Sequence, residues 1–564
     1  MVISCRSTRG SLRLALFLGV GLGLGACGKS PSEVTATAAA PSGSASAGQV
    51  ASSAAPAPIS AYAAARVADQ VSFGPTPELL ANLRQQGIEP WLNAQFGMAS
   101  SLIEAPDWLS TYNTNDPEAS KRAWRYPKEA FFNAALAGPE QLRMRVAWAL
   151  MQFIPVNNKV PPYALVEHFK LLARHAFGNY GELLRELSVH PAMGQFLDNF
   201  SNRPTSSQCP SCAPNENYAR ELMQLFTIGV VQLNPDGSTV RDAKGKPIET
   251  YRQEDVVALA KALTGWRFAP SATVLPTSNW TNAGKLMEPD PGQSAHDRTA
   301  KNILGVDFPA GRDASAELDA VISLLTKHPN LAPFVSLRLI QHLVTSDPSP
   351  AYLGRVSAVF RDNGAGVTGD MKAVIRTILL DPEARKGDIA GTDTAGFGKI
   401  REPVLWYTAA LRGLGCIQSL QRPNSGGAPV QPAAQVPFEP PNVFSFYLPT
   451  DRAPGSDLLA PEQKLLNTKE LTSRLSMLDF LAQPSVENLA AQCGVAELAQ
   501  LLVRSPNAFI DSLSQRYFRG AMSPVLRSAL LDLAAGQTTW GDPAQRAMAL
   551  LQFALSSPAF GVIK

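Results

Sequence analysis

Charge is scarce in this sequence. Only 17% of its 564 residues are Asp, Glu, Lys or Arg, and the formal net charge is +3. So small an imbalance gives no electrostatic case for a nucleic-acid partner, and no run of basic residues alternates with aromatics. Long apolar runs are missing after residue 24, so no later segment reads as a membrane span. Two motifs that would announce a hydrolase are missing as well: there is no G-x-S-x-G nucleophile elbow and no H-E-x-x-H metal pair. Cysteine is sparse, at six residues, and its placement tells more than its number.

The first segment is a targeting signal. Arg6, Arg9 and Arg13 precede an apolar run, Leu14 to Leu24, that is too short to span a bilayer comfortably. The run ends in Leu24-Gly25-Ala26-Cys27. That ending is similar to a bacterial lipobox, where cleavage precedes the cysteine and its sulfur is acylated. Residues 1–26 are therefore expected to be a lipoprotein signal peptide, and Cys27 the lipidated residue that ties the chain to a membrane. An ordinary signal peptide with a chance cysteine is the alternative. Gly28, not Asp, follows the cysteine, which by the usual sorting pattern points to the outer membrane. Residues 27–60 are mostly Ala, Ser, Pro, Gly and Thr, and read as a flexible tether.

Cys5 is lost with the signal, which leaves Cys209, Cys212, Cys416 and Cys493. In an oxidising envelope these can form two bridges. Cys209-Pro210-Ser211-Cys212 has redox-type spacing, but no strand–helix surroundings of the thioredoxin kind. A local structural disulfide is the preferred reading, and one such pair makes a poor zinc site.

The rest of the chain predicts a mainly α-helical fold. Thr76 can cap a helix over Pro77–Gln86, which Gly87 ends. Apolar residues at helical period mark helices over 140–153, 161–177, 180–189, 253–264, 314–325 and 332–345, with a further pair over 351–363 and 369–380. His190-Pro191, His328-Pro329, Asp381-Pro382, Ser505-Pro506 and Ser557-Pro558 each close one apolar pattern and open the next. The two histidines among them read as boundary residues rather than ligands. Between Val230 and Tyr251, two turn signals predict a small hairpin inserted among the helices. Asn234, Asp236 and Ser238 in it lack the distal carboxylate of a calcium loop. The domain reading is a main helical domain over 61–413, a Pro/Gly-rich loop and aromatic segment over 414–460, and a helical region over 461–564 packed on the main domain. Val443 to Pro449 is aromatic and is expected to be buried. Phe444, Phe446 and Tyr447 could line a glycan groove, with core packing preferred.

The densest mixture of charge and apolar residues is Asn215 to Gly229. Asn215 can cap this helix and Gly229 can stop it; Tyr218, Leu222, Leu225 and Phe226 share one face. Its charges suggest a site: Glu216, Arg220 and Glu221, joined by Asp255 and by His296-Asp297. Two carboxylates and a histidine can bind a divalent metal, or act as general acid and base. The competing reading is an ion-pair network that fixes the helix start. No cofactor is otherwise implied.

Several of these stretches resemble one family. The helix Asn215–Gly229, Glu254-Asp255-Val256, Ala262-Leu263-Thr264-Gly265-Trp266 and His296-Asp297 ahead of Lys301 and Leu304-Gly305 resemble, in order, signatures of the bacterial domain of unknown function 1800 family. So do Val344 to Pro350, Gly369 to Arg376, Lys399-Ile400-Arg401-Glu402-Pro403 and Pro441 to Tyr447. The resemblance implies mostly helical, secreted or envelope-bound proteins. Such proteins are often encoded beside a second exported family similar to sulfatases and phosphatases, a possible partner. It implies no established reaction. Many members carry a Trp-His-Asn-His-type run where this chain has Trp148 to Phe153, which puts any mechanism resting on those histidines in doubt. Two functions stay open: a binding or assembly factor for an exported hydrolase-like partner, and a metal-dependent hydrolase of envelope or extracellular polymers.

Overall fold

Short polar side chains ahead of proline start many of the helices. The hydroxyls of Thr76, Ser349 and Ser505 accept the N–H groups of Leu79, Tyr352 and Ala508 at 3.1–3.2 Å, and each precedes a proline in the first helical turn. Asp381 serves Glu383 in the same way at 2.8 Å. His190 does so through Nδ1, which accepts the Ala192 N–H at 3.2 Å, and His328 Nδ1 accepts that of Asn330. Such caps contribute about 1 kcal/mol each. Both histidines are thus boundary residues, and the proline punctuation is what divides the chain into short helices.

A computed structural model describes residues 58–100, 103–206, 209–270, 284–392, 394–416, 431–481, 493–536 and 541–564. The signal, Cys27 and nearly all of the tether lie outside these residues, as does much of the Gly415–Pro441 loop. The fold is mainly α. The first helices are α1 (Ala61–Val71), α2 (Pro77–Gln86), α3 (Ile88–Gly97), α4 (Asp107–Thr111) and α5 (Pro117–Ala137). There follow α6 (Gln141–Phe153), α7 (Pro162–Arg174), α8 (Tyr180–Ser188), α9 (Pro191–Phe196), α10 (Asn217–Gln224) and α11 (Gln253–Ala262). The middle of the chain gives α12 (Ala314–Lys327), α13 (Leu331–Leu343), α14 (Pro350–Arg361), α15 (Met371–Leu380), α16 (Pro382–Arg385) and α17 (Pro403–Gly413). The last five are α18 (Thr468–Leu481), α19 (Val495–Arg504), α20 (Pro506–Tyr517), α21 (Pro524–Gly536) and α22 (Pro543–Leu555). Helix α5 has no counterpart in the sequence reading. It carries Pro127 in its interior, and proline there argues against a helix unless packing holds it.

The β structure is slight. Trp266–Arg267 (β1) pairs with Glu288–Pro289 (β2), Lys301–Ile303 (β3) with Val306–Phe308 (β4), and Lys399–Ile400 (β5) with Val562–Ile563 (β6), all antiparallel. The expected hairpin over 230–251 is three extended legs joined by single bridges, Val231–Glu249, Leu233–Thr239 and Arg241–Pro247.

Helix α6 runs through the centre of the core, with every residue from Gln141 to Phe153 buried. Trp148 on it meets Phe131, which also packs edge-on against Phe73, Phe132 and Phe169. Helix α1 instead buries a polar face. Arg66 is fully buried, pairs with Asp388 and donates through Nε to the Lys564 carbonyl at 2.8 Å. Asp69 receives Arg401 at 3.0 Å and Arg519 at 2.9 Å. Burial pushes the Asp69 carboxyl up, but the two guanidinium groups outweigh it and hold it below the ordinary range.

Both sets of cysteines pair. Cys209 bonds to Cys212, and Cys416 to Cys493, 77 positions away.

Buried histidines make the fold acid-sensitive. Burial pulls His168 and His342 down to about 4, and pulls His190, 5.7 Å from the His168 ring, well below its ordinary value. All three are neutral in the folded chain at pH 7, whereas in the unfolded chain they take up protons near pH 6.5. Stability is therefore complete above pH 6.5 and falls as the pH drops toward 4, by about 1.4 kcal/mol per pH unit per histidine. The midpoint of thermal unfolding should hold between pH 8 and 7 and decline steeply from 6.5 to 5. A flat profile over that lower range would show that these histidines are solvated.

Candidate functional site

The sequence singles out six residues around α10, and the polar atoms of five of them go to two separate tasks. The first is helix starts. The Asn215 side chain accepts the Asn217 N–H at 2.9 Å, and Glu216 follows as the residue before the helix. Glu216 Oε2 accepts from Arg220 Nη2 and from Gln253 Nε2, both at 2.8 Å, and Arg220 also donates to Gln253 Oε1 at 3.0 Å. This half-exposed knot ties the start of α10 to the start of α11. Asp255, in the first turn of α11, accepts the Arg252 N–H at 2.8 Å and the Leu304 N–H at 2.7 Å, so its carboxylate caps the helix and holds the β3–β4 turn.

The second task is a buried cluster. His296 Nε2 lies 3.0 Å from Glu317 Oε2, with Nδ1 3.0 Å from the Thr264 carbonyl. Lys301 Nζ lies 3.0 Å from the same Glu317 oxygen and donates to the Asp297 carbonyl at 2.6 Å. Asp297 Oδ1 accepts from the Thr299 N–H and hydroxyl. Gly265 makes this packing possible: at φ +90°, an added Cβ there would sit 2.8 Å from the His296 Cβ. The structure thus joins Glu216 with Arg220, and His296 with Asp297, but shows no hydrogen bond or ion pair between the two sets. Glu221 stands apart. Its Oε2 is buried without a partner, and burial pushes the carboxyl up while Arg220 partly opposes it. Among the described residues, no three His, Cys, Asp or Glu side chains converge as a metal ion would need.

A better-formed site lies at the other end of α10. The chain leaves that helix through Gly229 at φ +68°, where a Cβ would sit 2.7 Å from the Phe334 ring. Beside this contact lies a cavity of about 220 Å³, which both residues line. Phe153, Leu225, Phe334, Val443, Phe446 and Leu448 form its apolar wall. The aromatic segment is therefore not simply buried: Phe444 and Leu448 stay 41% and 46% exposed, because they form the rim. Polar groups enter from three helices, with Gln224 at the end of α10. Gln152 comes from α6; Arg338 and His342 come from α13, one and two helical steps beyond Phe334 on the same face.

Beneath the cavity lies a buried polar network. His342 Nδ1 is 3.5 Å from the Tyr447 hydroxyl and 3.9 Å from Glu402 Oε1. Glu402 accepts from Lys399 Nζ at 2.7 Å and from Gln435 Nε2 at 2.7 Å. Lys399 also reaches Glu462 at 3.3 Å, and Ser346 donates to that carboxylate. Burial pushes Glu402 up, but Lys399 and His342 outweigh it and hold the carboxyl well below its ordinary value. Burial pushes Glu462 up, and there it wins. Fully buried Arg145 donates to the His342 carbonyl at 2.9 Å, and burial brings it down to about 10.

The aromatic run Phe444, Phe446 and Tyr447 marks one wall in the sequence, but the cavity as a whole is not legible there, because its walls come from four distant stretches, 152–153, 224–230, 334–342 and 443–450. A further signal was Phe334, Arg338 and His342 at intervals of four.

No helix among the described residues is long and apolar enough to cross a membrane. Neither the curated proteins nor the solved structures contain a match. One family model does match, over residues 66–562, which takes in the six residues around α10, the cavity and the network below it. The chain accordingly belongs to the family described as "Protein of unknown function (DUF1800)".

Proposed function

We propose that this chain is a lipid-anchored binding protein of the cell envelope, held through Cys27 at the outer membrane, and that it serves an exported hydrolase-like partner of the sulfatase or phosphatase kind. The observation that carries the binding reading is the cavity: an apolar hollow with few polar groups is what a ligand or partner segment needs, and Glu216, Arg220 and Asp255 around α10 are occupied elsewhere. Its size, about 220 Å³, suits a small occupant.

The test uses an apolar fluorescent probe such as anilinonaphthalene sulfonate with the purified protein. Saturable binding is expected, weakened at least tenfold by Leu448→Trp, which fills the mouth from an exposed rim position. Binding that does not saturate, or that ignores the substitution, would refute the reading.

A second reading, hydrolysis of envelope or extracellular polymers with or without a divalent metal, rests on Glu221. A carboxyl pushed up by burial and lacking a partner is what a general acid requires. Turnover of chromogenic phosphate, sulfate or carboxylate esters that disappears in Glu221→Gln would establish it. The binding reading expects no such turnover.

A further inference from the structure

Arg338 is an unusual wall for an apolar cavity. Its guanidinium lies 5.0 Å from the centre of the Phe334 ring, which lines the same space, and its Nη1 donates to Gln341 at 2.8 Å. No carboxylate among the described residues forms an ion pair with it. No Asp or Glu among the described residues lines the cavity either. A second donor stands on the facing helix: Gln152 is 94% buried and its Nε2 has no hydrogen-bond partner. Both side chains line the one cavity, from helices that pack together.

An uncompensated guanidinium and an unmet amide N–H₂ lining one apolar cavity are costly unless something else accepts from them. Water can serve Arg338 from the open side, but a planar anion serves its fork better. The size limits the rest of the occupant. An apolar cavity of roughly 150 Å³ holds benzene, so one of about 220 Å³ holds a body modestly larger than that ring.

Resting on the binding reading above, we propose that the cavity binds a small free monocarboxylate of roughly eight carbons in all, its carboxylate on Arg338 and Gln152 and its apolar body against Phe153, Phe334 and Phe446. The carboxylate forms two N–H···O bonds to the guanidinium, and the body replaces water on the aromatic wall. His342, at the inner end, closes the cavity and rejects longer chains by shape.

The experiment is calorimetric titration of the full-length protein with octanoate, with 1-octanol and with octylamine. Octanoate should bind at least tenfold more tightly than octanol, and octylamine should not bind measurably. Arg338→Gln should erase the octanoate advantage and leave octanol binding within about twofold, which also shows that the variant is folded; Arg338→Lys should keep part of the advantage. If octanol binds as well as octanoate in the parent protein, the carboxylate assignment is wrong while the binding reading stands. If Arg338→Gln keeps the octanoate advantage, Arg338 is not the receptor and the proposal fails. If none of the three ligands binds and the fluorescent probe is not taken up either, both readings fall together. Probe uptake without octanoate binding refutes this inference alone.

Discussion

Lys399→Met is expected to lower the free energy of unfolding by about 3–5 kcal/mol, the range seen when one partner of a buried ion pair is removed. The lysine is 3% exposed and its ammonium faces two carboxylates, Glu402 at 2.7 Å and Glu462 at 3.3 Å. It also donates to the carbonyls of Gln341 and His342 at the end of α13. Without it, Glu402 is a buried carboxylate left with an amide and a neutral imidazole. Glu462→Gln makes the informative contrast. Burial already pushes that carboxyl toward its neutral form, Ser346 can still serve the amide, and the Lys399–Glu402 pair survives. Its cost should stay near 1 kcal/mol, the scale of one hydrogen bond. Urea unfolding at pH 7, followed by far-ultraviolet circular dichroism, separates the two. Equal midpoints for both variants would mean that the lysine, not the Glu402 charge it neutralises, has been misjudged. The Lys399→Met loss should also shrink at low pH, as Glu402 takes up a proton.

The second large effect concerns the longer of the two disulfides. Replacing Cys416 and Cys493 by serine should cost roughly 4 kcal/mol, because the bond closes a loop of 77 positions in the unfolded chain and the entropy of that closure grows with length. The bond also holds the end of α17 to the start of α19 beside Tyr517, whose hydroxyl reaches the Ala410 carbonyl at 3.1 Å. Replacing Cys209 and Cys212 should cost much less, since that loop spans three positions. Thermal unfolding with and without dithiothreitol checks both. The reductant should shift the parent and the Cys209/Cys212 variant alike, and leave the Cys416/Cys493 variant unmoved. A reductant-sensitive Cys416/Cys493 variant would instead place the stabilisation in the short loop.

Much of the helical layout was legible from local chemistry. A polar cap followed by proline fixes a helix start without help from the rest of the fold, which is why Thr76, Ser505 and His190 mark true boundaries. Helix α5 was not legible, because Pro127 breaks the pattern and only burial against Trp148 and Tyr407 compensates. The residues around α10 are ambiguous in the sequence for the opposite reason. Glu216, Asp255 and His296 stand in recognisable motifs, and motif density looks like chemistry. The oxygens of Glu216 and Asp255 serve helix starts and one turn, and the His296 ring joins a buried cluster with Glu317, roles that sequence spacing does not separate from catalysis. The cavity depends on a contact between residues 229 and 334, which no local pattern encodes. The aromatic run at 444–447 and the interval-of-four face of α13 each hinted at one wall.

The polar face of α1 sets the order in which the molecule can be made. Arg66 and Asp69 lie near the beginning of the folded region, yet their partners are residues 384, 388, 401, 519 and 564. A nascent chain emerging from the ribosome carries this helix with its charges unanswered for hundreds of residues. Contacts of such span close slowly, since the chain between them must first be organised. The first of the described helices is therefore among the last to be locked in place, and the pairing of Val562–Ile563 with Lys399–Ile400 spans a similar length of chain.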